Sequence, residues 1–285
     1  MKSKSPMMLR NIAAACLILA AYPQLSAAQT QMTVEHLSLS YADLADLSDA
    51  APLVATARIR SIIALPAEQA QNVPAGHKRL YVEADVTSLI RGEGGISPTV
   101  RYLYDAPLDG RGKLPKLKKA QVVLFARTGA RPGEIQLVAR DGQIAATPPT
   151  VDRVKAILAD LVANGAPPRI IQLGDAFHVA GTVAGESETQ IFLRTANDEP
   201  VSLSILRRPG QEPRWAVALG EIVDEAAKPP APGTLLWYRL ACGLPPTLPS
   251  QSVRALSPAD AEAARADYAL VMQSLGSCGR TRTAL

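Results

Sequence analysis

RLYVEADVTSLI, residues 79–90, constrains the fold more than any other stretch of this chain. Leu80, Val82, Ala84 and Val86 fall on one side, with Glu83, Asp85 and Thr87 on the other. A two-residue period of this kind cannot be buried by a helix, whose faces repeat every three to four residues. It is the pattern of an antiparallel strand with one face on a core and the other in water. The neighbouring stretches repeat the theme. Leu53 to Ile63 sets Leu53, Ala55, Ala57 and Ile59 against Arg58 and Arg60. TVRYLYD (99–105), VVLFA (122–126) and the turn and strand within 131–144 follow. RGEGG (91–95) and the proline-containing stretch 66–77 supply the connections. Five or six strands with local connections predict a small β-barrel or sandwich over residues 29–146.

A helix is expected next. In TPPTVDRVKAILADLVANGAPP (147–168), Val151, Val154, Leu158 and Leu161 follow the helical stripe and Ile157 joins them. Thr150 can cap the first turn and Asn164-Gly165 can stop the helix, so 147–168 reads as a connecting helix and linker. Residues 169–285 form a second β-rich unit: AFHVAGTVA (176–184), ETQIFLRT (188–195), VSLSILRR (201–208) and WAVALGEIV (215–223) are strand-like. LLWYRLAC (235–242) fits either a strand or a short buried helix, since it is apolar nearly throughout. Ser257-Pro258-Ala259-Asp260 is a helix start with a hydroxyl cap and proline at the first position. Ala264, Tyr268, Val271 and Leu275 form that helix's packing stripe, and Gly276 ends it. The fold class is therefore mainly β with a few helices.

The chain begins with a basic stretch (Lys2, Lys4, Arg10), an apolar run (Ile12 to Ala21) and small residues at Ser26-Ala27-Ala28. This is an export-signal pattern, with cleavage expected after Ala28 and the product in the periplasm or secreted. The apolar run is about ten residues, short of the roughly 20 that span a bilayer as a helix, and no transmembrane segment is expected in the mature chain. Lipidation at Cys16 is the less favoured reading of the same segment. With 1–28 removed, Cys242 and Cys278 remain as an even pair in an oxidising compartment, and a disulfide between them is expected. It would pin the C-terminal helix to the second β-rich unit.

Charge limits the partners. The whole chain has 30 basic and 26 acidic residues, but residues 1–28 carry three bases and no acid, leaving 27 against 26. A near-neutral mature chain does not fit a protein that condenses on nucleic acid. Arg111, Lys113, Lys116, Lys118 and Lys119 crowd one short segment, GRGKLPKLKK, just before VVLFA. No aromatic residue is interleaved for base stacking. The cluster reads first as a solvated rim that discourages edge pairing, with Lys116, Lys118 and Lys119 as a possible contact surface for an acidic protein or lipid headgroups.

Chemistry-bearing motifs are few. Of His36, His77 and His178, only His178 lies in a strand pattern with carboxylates nearby: Asp175 before it, Glu186 and Glu188 beyond the next turn. That grouping is the candidate site of a periplasmic hydrolase acting on glycan or peptide, although Asp175 and His178 fall on opposite faces of an extended strand. Gly185-Glu186-Ser187-Glu188 is not a nucleophile elbow. Asp85, Asp105 and Asp109 are acidic residues around strands, but only geometry can pair two of them for glycoside hydrolysis. Arg91-Gly-Glu-Gly-Gly95 is not a dinucleotide loop, and no cofactor or metal is expected. Tyr102 and Tyr104, two apart on one strand, form a possible contact ridge; Trp215, Trp237, Tyr238 and Phe192 could anchor a core or line a groove.

Over APLVATARIRSI, RLYVEADVTSLIRGEGG, VRYLYDAPLDGRGKLPKLKKAQVVLFAR, GDAFHVAGTVAGESETQIFLRT, RRPGQEPRWAVALGEIVDE and LLWYRLACGLP, the chain resembles a group of exported alphaproteobacterial proteins of unknown function. That resemblance implies export and no activity. Residues 50–140, with their V-x-x-L-I-R-G and L-F-A strand order, look like the five-stranded OB-type barrel of netrin-like or metalloproteinase-inhibitor modules. Those modules carry an N-terminal cysteine; here the first cysteine after residue 28 is Cys242, so their inhibitory wedge is not implied. The function expected is a non-enzymatic envelope protein of binding or structural type, with an envelope protein or glycan as the class of partner.

Overall fold

The computed structural model describes residues 39–220 and 228–282. The expected signal segment, its cleavage point, Cys16 and His36 lie outside the described residues. A short helix, α1 (Tyr41–Ala50), comes first, started by a reciprocal cap in which Ser40 and Asp43 satisfy each other's backbone N–H groups. Strands β1 (Leu53–Ala64), β2 (His77–Arg91), β3 (Thr99–Pro107), β4 (Gln121–Thr128), β5 (Ile135–Leu137) and β6 (Gln143–Ala145) follow. They form one antiparallel sheet in the order β3-β2-β1-β4-β5, with β6 also paired to β4. The alternation of residues 79–90 has its expected outcome: Leu80, Val82 and Ala84 are buried with Ala55, Ala57, Ile59 and Val100 in one core.

The sheet bends round until its outer strands meet, but it does not close as a barrel. Between β3 and β5 the only pairing among the described residues is a single parallel bridge, Arg101 to Glu134. β4 explains why VVLFA lacks alternation. Val122, Leu124 and Ala126 face the sheet's own core, while Val123 and Phe125 face a second core beneath the helices. A strand covered on both sides reads as an unbroken apolar run.

Helix α2 (Pro148–Val162) buries Val154, Ile157 and Leu158. Its cap is one turn earlier than expected: the Thr147 hydroxyl accepts from the Thr150 N–H, and Pro148 and Pro149 occupy the first helical positions. Proline costs nothing there because those N–H groups have no intrahelical acceptor. A second sheet follows as a meander of β7 (Ile170–Ala180), β8 (Ser187–Thr195), β9 (Val201–Arg207) and β10 (Arg214–Ala218). LLWYRLAC resolves as a helix, α3 (Leu235–Ala241), with Thr234 as its cap. Helix α4 (Pro258–Leu275) has the expected Ser257 cap and ends at Gly276, whose φ of 71° suits a residue without Cβ.

The second core joins α1, α2, α3 and α4 to the inner face of the second sheet and to Val54, Val123 and Phe125 of the first. Trp215 and Trp237 both belong to it, each with its indole N–H satisfied on α4: Trp215 Nε1 donates to Ser274 (2.9 Å) and Trp237 Nε1 to the Leu275 carbonyl (2.9 Å). The Cys242–Cys278 disulfide is formed. No described helix is long and apolar enough to cross a membrane.

Candidate functional site

A half-open groove of 610 Å³ lies on the outer side of the first sheet, lined by residues of β2, β3, β5 and the β4–β5 loop. Its origin lies in strand geometry. Arg101 N–H donates to the Gly133 carbonyl at 2.8 Å, so β3 turns its odd-numbered backbone groups away from β2. Leu103 and Asp105 therefore direct their N–H groups towards β5 without a backbone partner among the described residues. On the far side, Gly129 N–H donates to the Glu134 carbonyl and Val138 N–H to that of Phe125. Those even-numbered groups are spent on β4, leaving Ile135 and Leu137 to face β3. Two strand edges that touch at one bridge thus flank an open slot.

Side chains give the slot its character. Leu103 is 50% exposed within it, beside half-buried Tyr81. Arg79 forks onto both oxygens of Asp105, at 2.7 and 2.8 Å, and also donates to the Gln71 carbonyl of the β1–β2 loop. The hydrogen bond to Asp105 holds the Arg79 guanidinium more firmly protonated than usual. This pair is neutral as a unit and rigid. Arg101 pairs with Glu83 at 3.6 Å and Arg131 reaches Glu134 at 3.5 Å, which leaves Arg140 without a carboxylate partner among the described residues. The slot therefore combines an apolar floor, free backbone edges and a small positive surplus.

The expected contact ridge lies on the other side of the same strand. Tyr102 and Tyr104 share a face, but it is the inward one. Tyr102 is 3% exposed and its hydroxyl donates to Gln143 at 2.6 Å. Burial pushes both phenols up. A residue that alternates with Arg101 and Leu103 must face the core when those two face the groove. Asp85, Asp105 and Asp109 do not come together as a catalytic pair. Asp85 binds Thr99 and Arg60, Asp105 is held by Arg79, and Asp109 accepts from the N–H groups of Arg111 and Lys113. Lys116, Lys118 and Lys119 are all exposed on the β3–β4 connection.

His178 acquires different carboxylate company from that expected. It sits on the inner face of β7 opposite Thr189, while Asp175 and Glu188 are exposed, Glu188 opposite Val179. Glu186 lies against Gly181 in the turn. His178 meets a chain instead. Its Nδ1 lies 2.8 Å from the Thr189 hydroxyl, which donates to Asp267, and Asp267 also accepts from Arg207 Nε at 2.6 Å. Since Thr189 spends its proton on Asp267, it accepts from His178 Nδ1–H, leaving Nε2 as the acceptor nitrogen. Asp267 is 1% exposed and comes from α4, some 60 to 90 residues away in sequence. Its signal was present: residues 264, 267, 268 and 271 share one helix face, so the carboxylate interrupts an apolar stripe. This polar chain fastens α4 to the second sheet, and His178 lines none of the cavities described.

A third polar cluster, on α1, holds residues 280–282. Asp43, Asp46 and Asp49 repeat every three residues along α1. Asp43 accepts from Thr281 and from Arg282 N–H, Asp46 from Arg280 and Tyr238, and Asp49 from Arg169 and Arg239. Burial alone would disfavour the Asp43 carboxylate. The hydrogen bonds from Thr281, Arg282 and Ser40 outweigh it and pull its pKa down to about 2. Among the described residues, no group of His, Cys, Asp and Glu is arranged to hold a metal ion.

Compared with known proteins, the chain matches no family model and no curated sequence.

Proposed function

We propose that the protein is an exported, non-enzymatic binding protein of the cell envelope, and that the groove beside β3 receives an extended polypeptide segment. The observation that carries this reading is the pair of strand edges, Leu103–Asp105 and Ile135–Leu137, turned towards one slot. Recognition by strand addition draws affinity from main-chain hydrogen bonds and specificity from alternate side chains. A slot of 610 Å³ falls in the usual range for a ligand site. Leu103 favours apolar residues in the guest, and Arg140, which has no carboxylate partner among the described residues, favours acidic ones.

The strand order supports an OB-like reading of residues 50–140. β1 pairs with both β2 and β4, while β3 and β5 approach in parallel. In OB folds the β2–β3 face and the β1–β2 and β4–β5 loops form the binding surface, and the groove lies against these elements. The hydrolase alternative rests on the His178–Thr189–Asp267 chain. Its weakness is access, since the His178 side chain is 7% exposed.

Titration followed by backbone amide NMR tests the proposal. The probe is a peptide of about eight residues alternating Glu and Val, with a chitin oligosaccharide of similar length as comparison. Shifts centred on Leu103, Asp105 and Leu137 with the peptide alone are expected. Shifts there with the oligosaccharide alone, or none with either, would overturn the polypeptide assignment.

A further inference from the structure

The β3–β4 connection presents its cations by construction. Leu114 and Leu117 turn inwards and pack on the core of the first sheet, whereas Arg111, Lys113, Lys116, Lys118 and Lys119 are exposed. Both ends are fixed. Asp109 accepts from the N–H groups of Arg111 and Lys113 (2.9 and 2.8 Å), and Lys119 N–H donates to the Ile59 carbonyl (2.8 Å). Lys119 has a φ of 72°, a conformation a residue with Cβ adopts only where its surroundings hold it. The Ile59 pairing also brings exposed Arg58 and Arg60 of β1 alongside. None of the five cations on the connection is ion-paired among the described residues.

We infer that this ribbon docks the protein on an anionic membrane surface. Four of its five cations are lysines, flexible point charges without the planar fork that reads one carboxylate or phosphate geometry. Such charges suit a diffuse sheet of headgroups. A protein partner would call for an apolar anchor among the charges, and no large apolar side chain is exposed between residues 104 and 120. The rest of the molecule orients the docking. Segment 109–119 has five bases and one acid; the remainder of residues 29–285 therefore has 22 bases and 25 acids. The ribbon thus carries +4 and the remainder −3, so attraction to an anionic surface is centred on the ribbon.

Vesicle co-sedimentation tests the inference, comparing phosphatidylcholine alone with a mixture containing roughly one-third phosphatidylglycerol. The protein should bind only the anionic vesicles, and less as salt rises from about 0.1 M to 0.5 M. Lys116→Gln, Lys118→Gln and Lys119→Gln together should weaken binding by about two orders of magnitude, each lysine contributing several-fold. Arg153→Gln, Lys155→Gln and Arg208→Gln, at exposed sites elsewhere, should leave it nearly unchanged. An unchanged melting temperature in both variants separates charge loss from unfolding. Equal binding to both vesicles, or equal loss in the two triple variants, would overturn the inference. Binding to soluble poly-glutamate but not to vesicles would assign the ribbon to an acidic polypeptide and also overturn it.

Discussion

Replacing Asp267 with Ala tests how α4 is held to the second sheet. The carboxylate is 1% exposed and accepts two hydrogen bonds, one from the Arg207 guanidinium at 2.6 Å and one from Thr189. A hydrogen bond to a charged partner contributes about 1.5–3 kcal/mol and a neutral one about 1 kcal/mol. Two considerations reduce the sum. The Arg207 side chain is 36% exposed and can swing to water. Thr189 can turn its proton to His178 Nδ1 if the imidazole changes tautomer. The expected loss is about 3 kcal/mol, below the larger penalties of fully trapped ions. For a protein of this size that lowers the melting temperature by roughly 6–12 °C. Urea unfolding of D267A, R207A and the double variant gives the pairwise coupling. Arg60→Ala, which removes an exposed ion pair, should cost no more than about 0.5 kcal/mol in the same assay. A loss below about 1 kcal/mol for D267A, or no coupling to Arg207, would refute the reasoning.

Three further outcomes are expected. Cys242→Ser with Cys278→Ser, which opens a bridge spanning 36 residues, should lower stability by about 3–4 kcal/mol in denaturant; a change below about 0.5 kcal/mol would remove the bridge's structural importance. The Asp43 carboxylate, held at about 2 in the folded protein against 3.8 ordinarily, favours the folded state by being ionised. Its contribution is complete above about pH 4 and is lost as pH falls through about 2, so the Thr281 amide should lose protection, measured against its intrinsic exchange rate at each pH, between pH 5 and pH 2. The intact mass of the exported protein should lack residues 1–28, and recovery of the full-length chain from the cytoplasm would contradict export.

The sequence revealed elements where one face meets a core and the other meets water. β2 could be read from its alternation, and α4 from Ser257, Pro258 and the Ala264–Leu275 stripe. The disulfide could be read from cysteine parity. Helix α3 could not be read because Leu235, Trp237, Tyr238 and Leu240 are buried around most of its circumference, which erases the period that separates helix from strand. The cap lies at Thr147 rather than Thr150 because Pro148 and Pro149, which need no intrahelical acceptor there, add a turn before the apolar stripe begins. At the polar chain, His178 stood out as a histidine in a strand, but Asp267 comes from a helix far along the chain. Local sequence proposed Asp175, Glu186 and Glu188 because they are near in number. The groove was invisible for a related reason: it arises from where β3 and β5 part, not from any motif.

Amide hydrogen exchange at β3 bears most directly on the proposed binding role. In the free protein, Tyr102 and Tyr104, whose N–H groups face β2, should be protected, while Leu103 and Asp105 should exchange rapidly. Adding the alternating Glu–Val peptide at saturation should slow Leu103 and Asp105 together with Leu137, leaving Tyr102 and Tyr104 as they were. Protection of Leu103 and Asp105 already in the free protein, or no change at all three on adding the peptide, would contradict a strand-accepting groove.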